Sequence, residues 1–387
     1  MTRKKIVWLC SWYPTRVDPF NGDFIQRHAR AAALYNDIYV IYVAEDRSGA
    51  ITTVEKEIKK YPGLTEHIVL YPATKGFVSR LFGRYKWLFL LRQAIRRYVV
   101  ENKKPDLVHV QVPMAAGLAA LWFKSRYKVP YYVTEHYGIY NEIIGKDSFA
   151  NRTTLYKKLT ARIFSKAERF ISVSKYLGDG VNLMVTKKDF TVVPNAVDTE
   201  LFFYKEKPQT VFRFIHVSNM IPLKNAGGII RAFHALLQKG YQAELIMVGG
   251  EHTEAINIAS ALRFPPGIVR FTGEVSYREV ADEMQSADCL VLFSIIENSP
   301  CVIGEALCCG LPVIASRVGG IPELVTTGNA ILVASKAEDE LTAAMERMLT
   351  DHSFDKKKIA EDAAGKFSYP AVGKLLEEEY SKQVISL

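Results

Sequence analysis

The sequence predicts an α/β protein built as two Rossmann-like domains that face each other across a cleft. Three observations carry this expectation. Short apolar runs of strand length alternate with longer amphipathic stretches along the whole chain, as parallel sheets covered by helices on both faces require. Thirteen such runs are legible, too many for one open sheet. A turn-rich stretch without clear period, "PNAVDTELFFYKEKPQ" (Pro194–Gln209), separates them into two groups. The boundary is therefore placed at 200/201, with a first domain over 1–200 and a second over 201–367.

In the first domain the strand candidates are "KIVWLC", "DIYVIYVA", "HIVLYPA", "DLVHVQV", "VPYYVTEH", "RFISVS" and "FTVVPN". In the second they are "FRFIHVS", "AELIMVGG", "GIVRFTG", "DCLVLFS", "LPVIAS" and "AILV". Each is apolar throughout or nearly so, as a strand buried on both faces must be. Open α/β sheets bind ligands beyond the C-terminal ends of their strands, so two such domains place a ligand in a shared cleft.

Composition narrows the function classes. At 387 residues the chain has room for two or three domains. Its 49% hydrophobic and 24% charged content is that of a globular protein. Five cysteines, an odd number with Cys308 and Cys309 adjacent, do not form a disulfide framework or a zinc-site spacing. Their apolar neighbourhoods read as reduced thiols of a cytoplasmic protein. "MTRKKIVWLCSWYP" holds too few apolar residues for a signal peptide. No run approaches the roughly 20 apolar residues of a membrane span. The net charge of +9 is uneven: residues 1–200 carry 32 Lys and Arg against 18 Asp and Glu, and residues 201–387 carry 18 against 23. The first domain is the one suited to an acidic partner. It has no recognisable base-reading element, so nucleic acid is not expected.

The stretch "SIIENSPCVIGEALCCGLPVIASRVGGIPE" carries the sharpest chemical signal. A strand over Asp288–Ser294 is followed by a helix with Ser299 as N-cap, Pro300 at the first helical position and Gly310 as C′ stop. Glu297 falls in the loop and Glu305 inside the helix. Side chains on a helix lean toward its N-terminus, so Glu305 leans back toward the loop. The free N–H groups at that helix mouth favour an anion. An anion seat with two hydrogen-bond acceptors suits a nucleotide sugar, rich in both phosphate and hydroxyl. The plain alternative is a partly exposed helix residue and a turn-capping one.

Other stretches are weaker alone. Lys224 in "VSNMIPLKN" stands after the first strand of the second domain, able to reach a diphosphate or simply solvated. His136 in "YVTEHYG" ends a strand of the first domain, either as a hydrogen-bond donor to a sugar or as a structural residue. The loop "SWYPTRVDPFNGDF" contains Asn21 and Gly22, where backbone can approach a ligand. GxGxxG and P-loop patterns are missing, which removes support for NAD or ATP. No Asp-x-Asp triplet suggests a chelated metal, so neither a metal nor a cofactor is expected. Residues 75–104 are basic and aromatic. They form either a helix lying on an anionic membrane surface or an ordinary packing helix with a basic face.

Taken together these segments resemble the GT-B glycosyltransferases, specifically the retaining family 4 (glycosyltransferase group 1) type, over nearly the whole chain. "ENSPCVIGE" resembles the family's E-x7-E motif, and "EALCCGLPVIASRVGGIPELV" the run after it. "VPNAVDTELF" is similar to the family linker. "VSNMIPLKN" sits where members carry a Gly-Arg pair followed by a phosphate-binding lysine, and "VRFTGEVSYREV", with Gly273, where they hold the nucleobase. Asn219 stands where many members have arginine, and Asn298-Ser299-Pro300 where Gly-Phe-Gly is common.

The resemblance implies a nucleotide-sugar donor held mainly by the second domain. Glu305 and Asn219 would bind donor, and so would Asn298, Ser299, Pro300, Cys301 and Val302 around the phosphates and sugar. Glu297, Lys224 and His136 would be the catalytic set. Asn21 and Gly22 would approach the diphosphate and acceptor, and the segment 368–387 would pack back on the first domain. The expected activity is retaining, metal-independent transfer to a glycan or lipid-linked saccharide, in bacterial cell-surface polysaccharide synthesis at the inner face of the membrane. The alternatives are a GT-B-like epimerase or phosphorylase acting on sugar phosphates, and a non-catalytic donor-binding scaffold.

Overall fold

In the computed structural model the chain forms two compact units. One comprises Met1–Pro194 and Tyr369–Leu387, the other Asn195–Ser368. The structure describes residues 3–73, 77–208, 211–250, 253–351 and 353–382.

The first unit is an eight-stranded sheet: β1 (Lys5–Cys10), β2 (Asp37–Asp46), β3 (Glu55–Tyr61), β4 (Leu64–Pro72), β5 (Leu107–Gln111), β6 (Tyr131–Glu135), β7 (Arg169–Ser172) and β8 (Phe190–Val192). Their order is β3-β4-β2-β1-β5-β6-β7-β8. Every pairing is parallel except β3 with β4. β3 was not among the thirteen expected strands. Its sequence, EKEIKKY, is charged and mostly exposed, so it has no apolar signal. It forms because β4 offers an unpaired edge one tight turn away, with Tyr61 opposite Leu64. The strand order reverses direction between β1 and β5.

The helix Tyr369–Ser381 belongs to this unit and packs on the helix Asp23–Ala33. The approach is close: a Cβ at Gly373 would stand 2.2 Å from the Ala31 carbonyl oxygen. Beneath it, fully buried His109 on β5 lies with Nδ1 2.6 Å from the Tyr380 hydroxyl and Nε2 2.7 Å from Thr134 Oγ1. The basic helix expected within 75–104 spans Phe77–Asn102. Ile95 and Leu91 face the core, whereas Tyr85 and Phe89 are 72% and 66% exposed. Residues 75 and 76 of the expected segment, and the side chains of 77–82 and 84, lie outside the described residues.

The second unit is a six-stranded sheet: β9 (Arg213–Val217), β10 (Glu244–Val248), β11 (Val269–Gly273), β12 (Cys289–Leu292), β13 (Val313–Ser316) and β14 (Ala330–Val333). Its order is β11-β10-β9-β12-β13-β14, all parallel, and here direction reverses between β9 and β12. Both faces are covered. Leu290 and Leu292 enter one core with Ile303 and Leu307, while Cys289 and Val291 enter the other with Ile229 and Phe233. The period of two thus shows as two buried faces, which is why these strands read as unbroken apolar runs.

Candidate active site

The reversal point between β9 and β12 is where an open α/β sheet leaves a crevice, and it is where Lys224 and Glu297 meet. Lys224 ends a short 3-10 turn, Pro222–Lys224, that follows β9. Glu297 lies in the loop after β12. Lys224 Nζ donates to Glu297 Oε1 at 2.5 Å, and Ser294 Oγ donates to the same oxygen at 2.7 Å. The two loops are also tied through backbone, with the Ile295 amide donating to the Leu223 carbonyl at 2.8 Å.

The loop of Glu297 leans equally on the turn after β13. The Gly320 amide donates to the Glu297 carbonyl at 3.1 Å. Gly319, at φ 53°, passes so close that a Cβ there would stand 1.8 Å from that oxygen. Only glycine fits this approach.

The helix after the loop spans Cys301–Cys308, and its N-cap is Pro300, with no side-chain capping bond. This corrects the expected start. Pro300 has ψ 120°, an extended backbone, so it stands just outside the helix, and Ser299 is displaced out of the capping position. Ser299 is buried, and its carbonyl accepts from Asn195 Nδ2 at 2.8 Å. The Gly310 stop holds: at φ 78° its amide bonds Leu307 O, and the Leu311 amide bonds Ala306 O, a Schellman ending. Between these ends the helix mouth presents Cys301 and Val302, both half-buried, beside Asn298. Glu305 lies one turn in and is only 4% exposed.

Asn219 is exposed just beyond β9. Gly273 closes β11 at φ 77°; its carbonyl accepts from the Gly249 amide at 3.0 Å. Among the described residues no group of three or more His, Cys, Asp or Glu side chains is placed to hold a metal ion.

Family models match both units. The model described as "Glycosyl transferases group 1" covers residues 197–366, and "Glycosyltransferase Family 4" covers residues 29–201. The chain belongs to the family 4 type of GT-B glycosyltransferases. A Bacillus subtilis glycosyltransferase named for teichuronic acid biosynthesis, TuaC, is 25% identical over 379 residues, spanning 92% of each chain. The amylovoran biosynthesis glycosyltransferase AmsK of Erwinia amylovora is 25% identical over 344 residues, 84% of this chain and 80% of its own. Among solved structures, sucrose-phosphate synthase from Thermosynechococcus elongatus superposes with TM-score 0.75 at 18% identity, covering 97% of this chain and 98% of its own. Anabaena HepE in complex with UDP-glucose gives 0.71 at 18% identity, over 98% and 100%.

In the first unit of this glycosyltransferase, the remaining expected residues form their own cluster at the strand ends. Gly22, at φ 71°, caps the helix Asp23–Ala33 and lies against the Trp12 and Tyr13 backbone, 2.8 Å being the nearest approach of a Cβ there. Asn21 Nδ2 donates to the Tyr42 hydroxyl at 3.2 Å. The helix then brings the Phe24 and His28 rings to 5.0 and 5.3 Å from that of His136. His136 Nε2 lies 2.9 Å from Gln111 Oε1 at the end of β5.

Glu135 next to it was not anticipated. It is buried, its Oε1 accepts from the amides of His136 and Tyr137 at 2.9 and 2.8 Å, and Tyr140 donates to its Oε2 at 2.5 Å. Burial raises its pKa to about 7, against the lowering effect of those donors. Ser294, Asn195 and Gln111 were likewise missed: Asn195 and Gln111 find their partners 104 and 25 positions away, and Ser294, three residues before Glu297, is an ordinary strand-end serine in sequence.

Proposed function

We propose that the protein is a retaining, metal-independent glycosyltransferase that takes a sugar from a nucleotide-sugar donor. The single observation that carries this reading is the Lys224–Glu297 pair, set at the reversal point of the second sheet beside the mouth of the helix Cys301–Cys308. There a diphosphate meets the Lys224 ammonium and the positive end of the helix dipole, and the donor hydroxyls meet Glu297 and Glu305. Asn219, Asn298 and the Ser299–Val302 segment line the same loops, and Gly273 offers backbone to the base. His136 and the Asn21–Gly22 turn serve the reacting sugar and the acceptor.

The chemistry follows from the residue types. As the bond from the anomeric carbon to the phosphate oxygen breaks, negative charge grows on the diphosphate, and Lys224 and the helix amides stabilise it. The acceptor hydroxyl oxygen bonds to the same face of the anomeric carbon. Its proton passes to the departing phosphate oxygen. Configuration is retained, and no protein nucleophile is required.

The acceptor is read as a glycan or lipid-linked saccharide of a bacterial cell surface, in keeping with the relatives named for teichuronic acid and amylovoran biosynthesis. Outward-facing Tyr85 and Phe89, with exposed Arg96 and Arg97 on the same helix, suit peripheral attachment to an anionic membrane.

A thermal-shift screen against nucleotide sugars tests the donor step, since a tight donor raises the melting point by mass action. Transfer to an acceptor with retained configuration, unaffected by EDTA, is the expected outcome with the donor so identified. Donor turnover without an acceptor, or dependence on inorganic phosphate, would replace this reading with an epimerase or phosphorylase.

A further inference from the structure

We infer that His216 and Ser218 are positioning residues that hold the floor of the donor crevice. The inference rests on the reading of Lys224 and Glu297 as donor ligands. β9 and β12 pair only through Phe214 with Cys289 and Ile215 with Leu290. One residue further the junction passes to a side chain: Nδ1 of fully buried His216 lies 2.8 Å from the Val291 carbonyl oxygen. A carbonyl only accepts, so Nδ1 carries the proton. In the neutral ring Nε2 is then an acceptor, and its partner at 2.7 Å, the Ser218 hydroxyl, must donate. Ser218 Oγ in turn accepts from the Met220 amide at 2.9 Å. One carbonyl thus fixes the direction of every bond from Met220 through Ser218 and His216 to Val291. Burial lowers the His216 pKa to about 4, so the ring is neutral and the relay intact at neutral pH.

What the relay holds is a backbone that would not hold itself. Met220 adopts φ 52°, a left-handed conformation that costs a non-glycine residue energy. Asn219 sits between the two anchored residues, and the turn to Lys224 begins just beyond. The loop is therefore pinned to β12 and its following segment twice, by His216 to Val291 and by Leu223 to Ile295. Lys224 meets Glu297 because both pins are in place.

The test measures donor and acceptor kinetics of Ser218→Ala and Ser218→Thr beside Lys224→Ala. Ser218→Ala removes the donor to His216 and the acceptor for Met220 in one small change. The expected result is a donor KM raised about three- to tenfold, with kcat and acceptor KM within about twofold, and restoration by Ser218→Thr. An independent readout is the histidine tautomer, with nitrogen NMR at pH 7 showing the Nδ1–H form of His216. If Ser218→Ala leaves donor KM unchanged while Lys224→Ala raises it, or if the ring is the Nε2–H tautomer, the positioning role is wrong and the donor site stands. If Lys224→Ala also leaves donor KM unchanged, the donor-site reading fails with it.

Discussion

Lys224 and Glu297 meet across two loops with their side chains largely withdrawn from solvent, 21% and 10% exposed. A lone charge left there is costly, because a desolvated ion without its partner loses both water and counter-charge. Lys224→Ala is therefore expected to weaken donor binding about 10- to 100-fold, read as donor KM or nucleoside diphosphate affinity by calorimetry. Glu297→Gln keeps the shape but removes the charge. It is expected to lower kcat about 100-fold or more with a smaller change in KM, measured in the same transfer assay. Glu297 and Glu305 stood out in the sequence as charged side chains inside an apolar segment, whereas Lys224 was weak alone and took its reading from the family resemblance. Ser294 and Asn195 did not stand out. A serine ending a strand and an asparagine in a turn are ordinary in sequence; the first bonds Glu297 three residues on, and folding brings the second to the Ser299 carbonyl 104 positions away.

At the scale of elements, the central strands were readable because both their faces are buried, whereas the edge strands β8 and β11 are only half-buried and kept enough apolar residues to be read. β3 was unreadable because its stability comes from β4 rather than from its own side chains. The helix after Glu297 was read with its end in place and its start one residue early. Gly310 signals its own conformation, φ 78°, whereas a proline is compatible with either side of a helix boundary. The glycine turn after β13 has a use the sequence did not disclose, as the wall behind the Glu297 carbonyl. Gly319→Ala would force a methyl into that oxygen and a left-handed φ onto alanine. The expected outcome is a lower melting temperature together with a raised donor KM, where a glycine in open space such as Gly267 would change stability alone. The helix Tyr369–Ser381 is held through a buried histidine. Tyr380→Phe leaves His109 Nδ1 without its hydroxyl partner and is expected to cost about 1–3 kcal/mol by denaturant unfolding.

For the molecule as a whole, four of the buried imidazoles set the acid limit of stability. Burial lowers the pKa from 6.5 to about 4 for His28, His67 and His216, and to about 3 for His109. These rings are neutral when folded and gain protons on unfolding once the pH falls below 6.5. Between pH 6.5 and about 4 the unfolded chain therefore binds more protons, and stability falls with pH by about 1.4 kcal/mol per unit per ring. Glu135 acts in the opposite sense. Raised from 4.5 to about 7, it gives stability that grows as pH drops from 7 to 4.5. Four groups outweigh one, so the melting temperature is expected to fall steadily below pH 6 in a calorimetric series. Residues 1–200 carry the basic excess, and co-sedimentation with anionic vesicles at low salt, abolished by Arg96→Glu and Arg97→Glu together, is the expected signature of membrane attachment. The strand that sequence could not announce has a further consequence. β3 forms the open margin of the first sheet, and Lys56, Lys59 and Lys60 stand exposed along it. A second molecule approaching to extend that ladder would have to desolvate a strand of three lysines and two glutamates. The same lack of apolar content that hid the strand from prediction makes it a poor template for a neighbouring copy, so replacing those lysines with threonine or valine is expected to promote edge-to-edge assembly, read by light scattering.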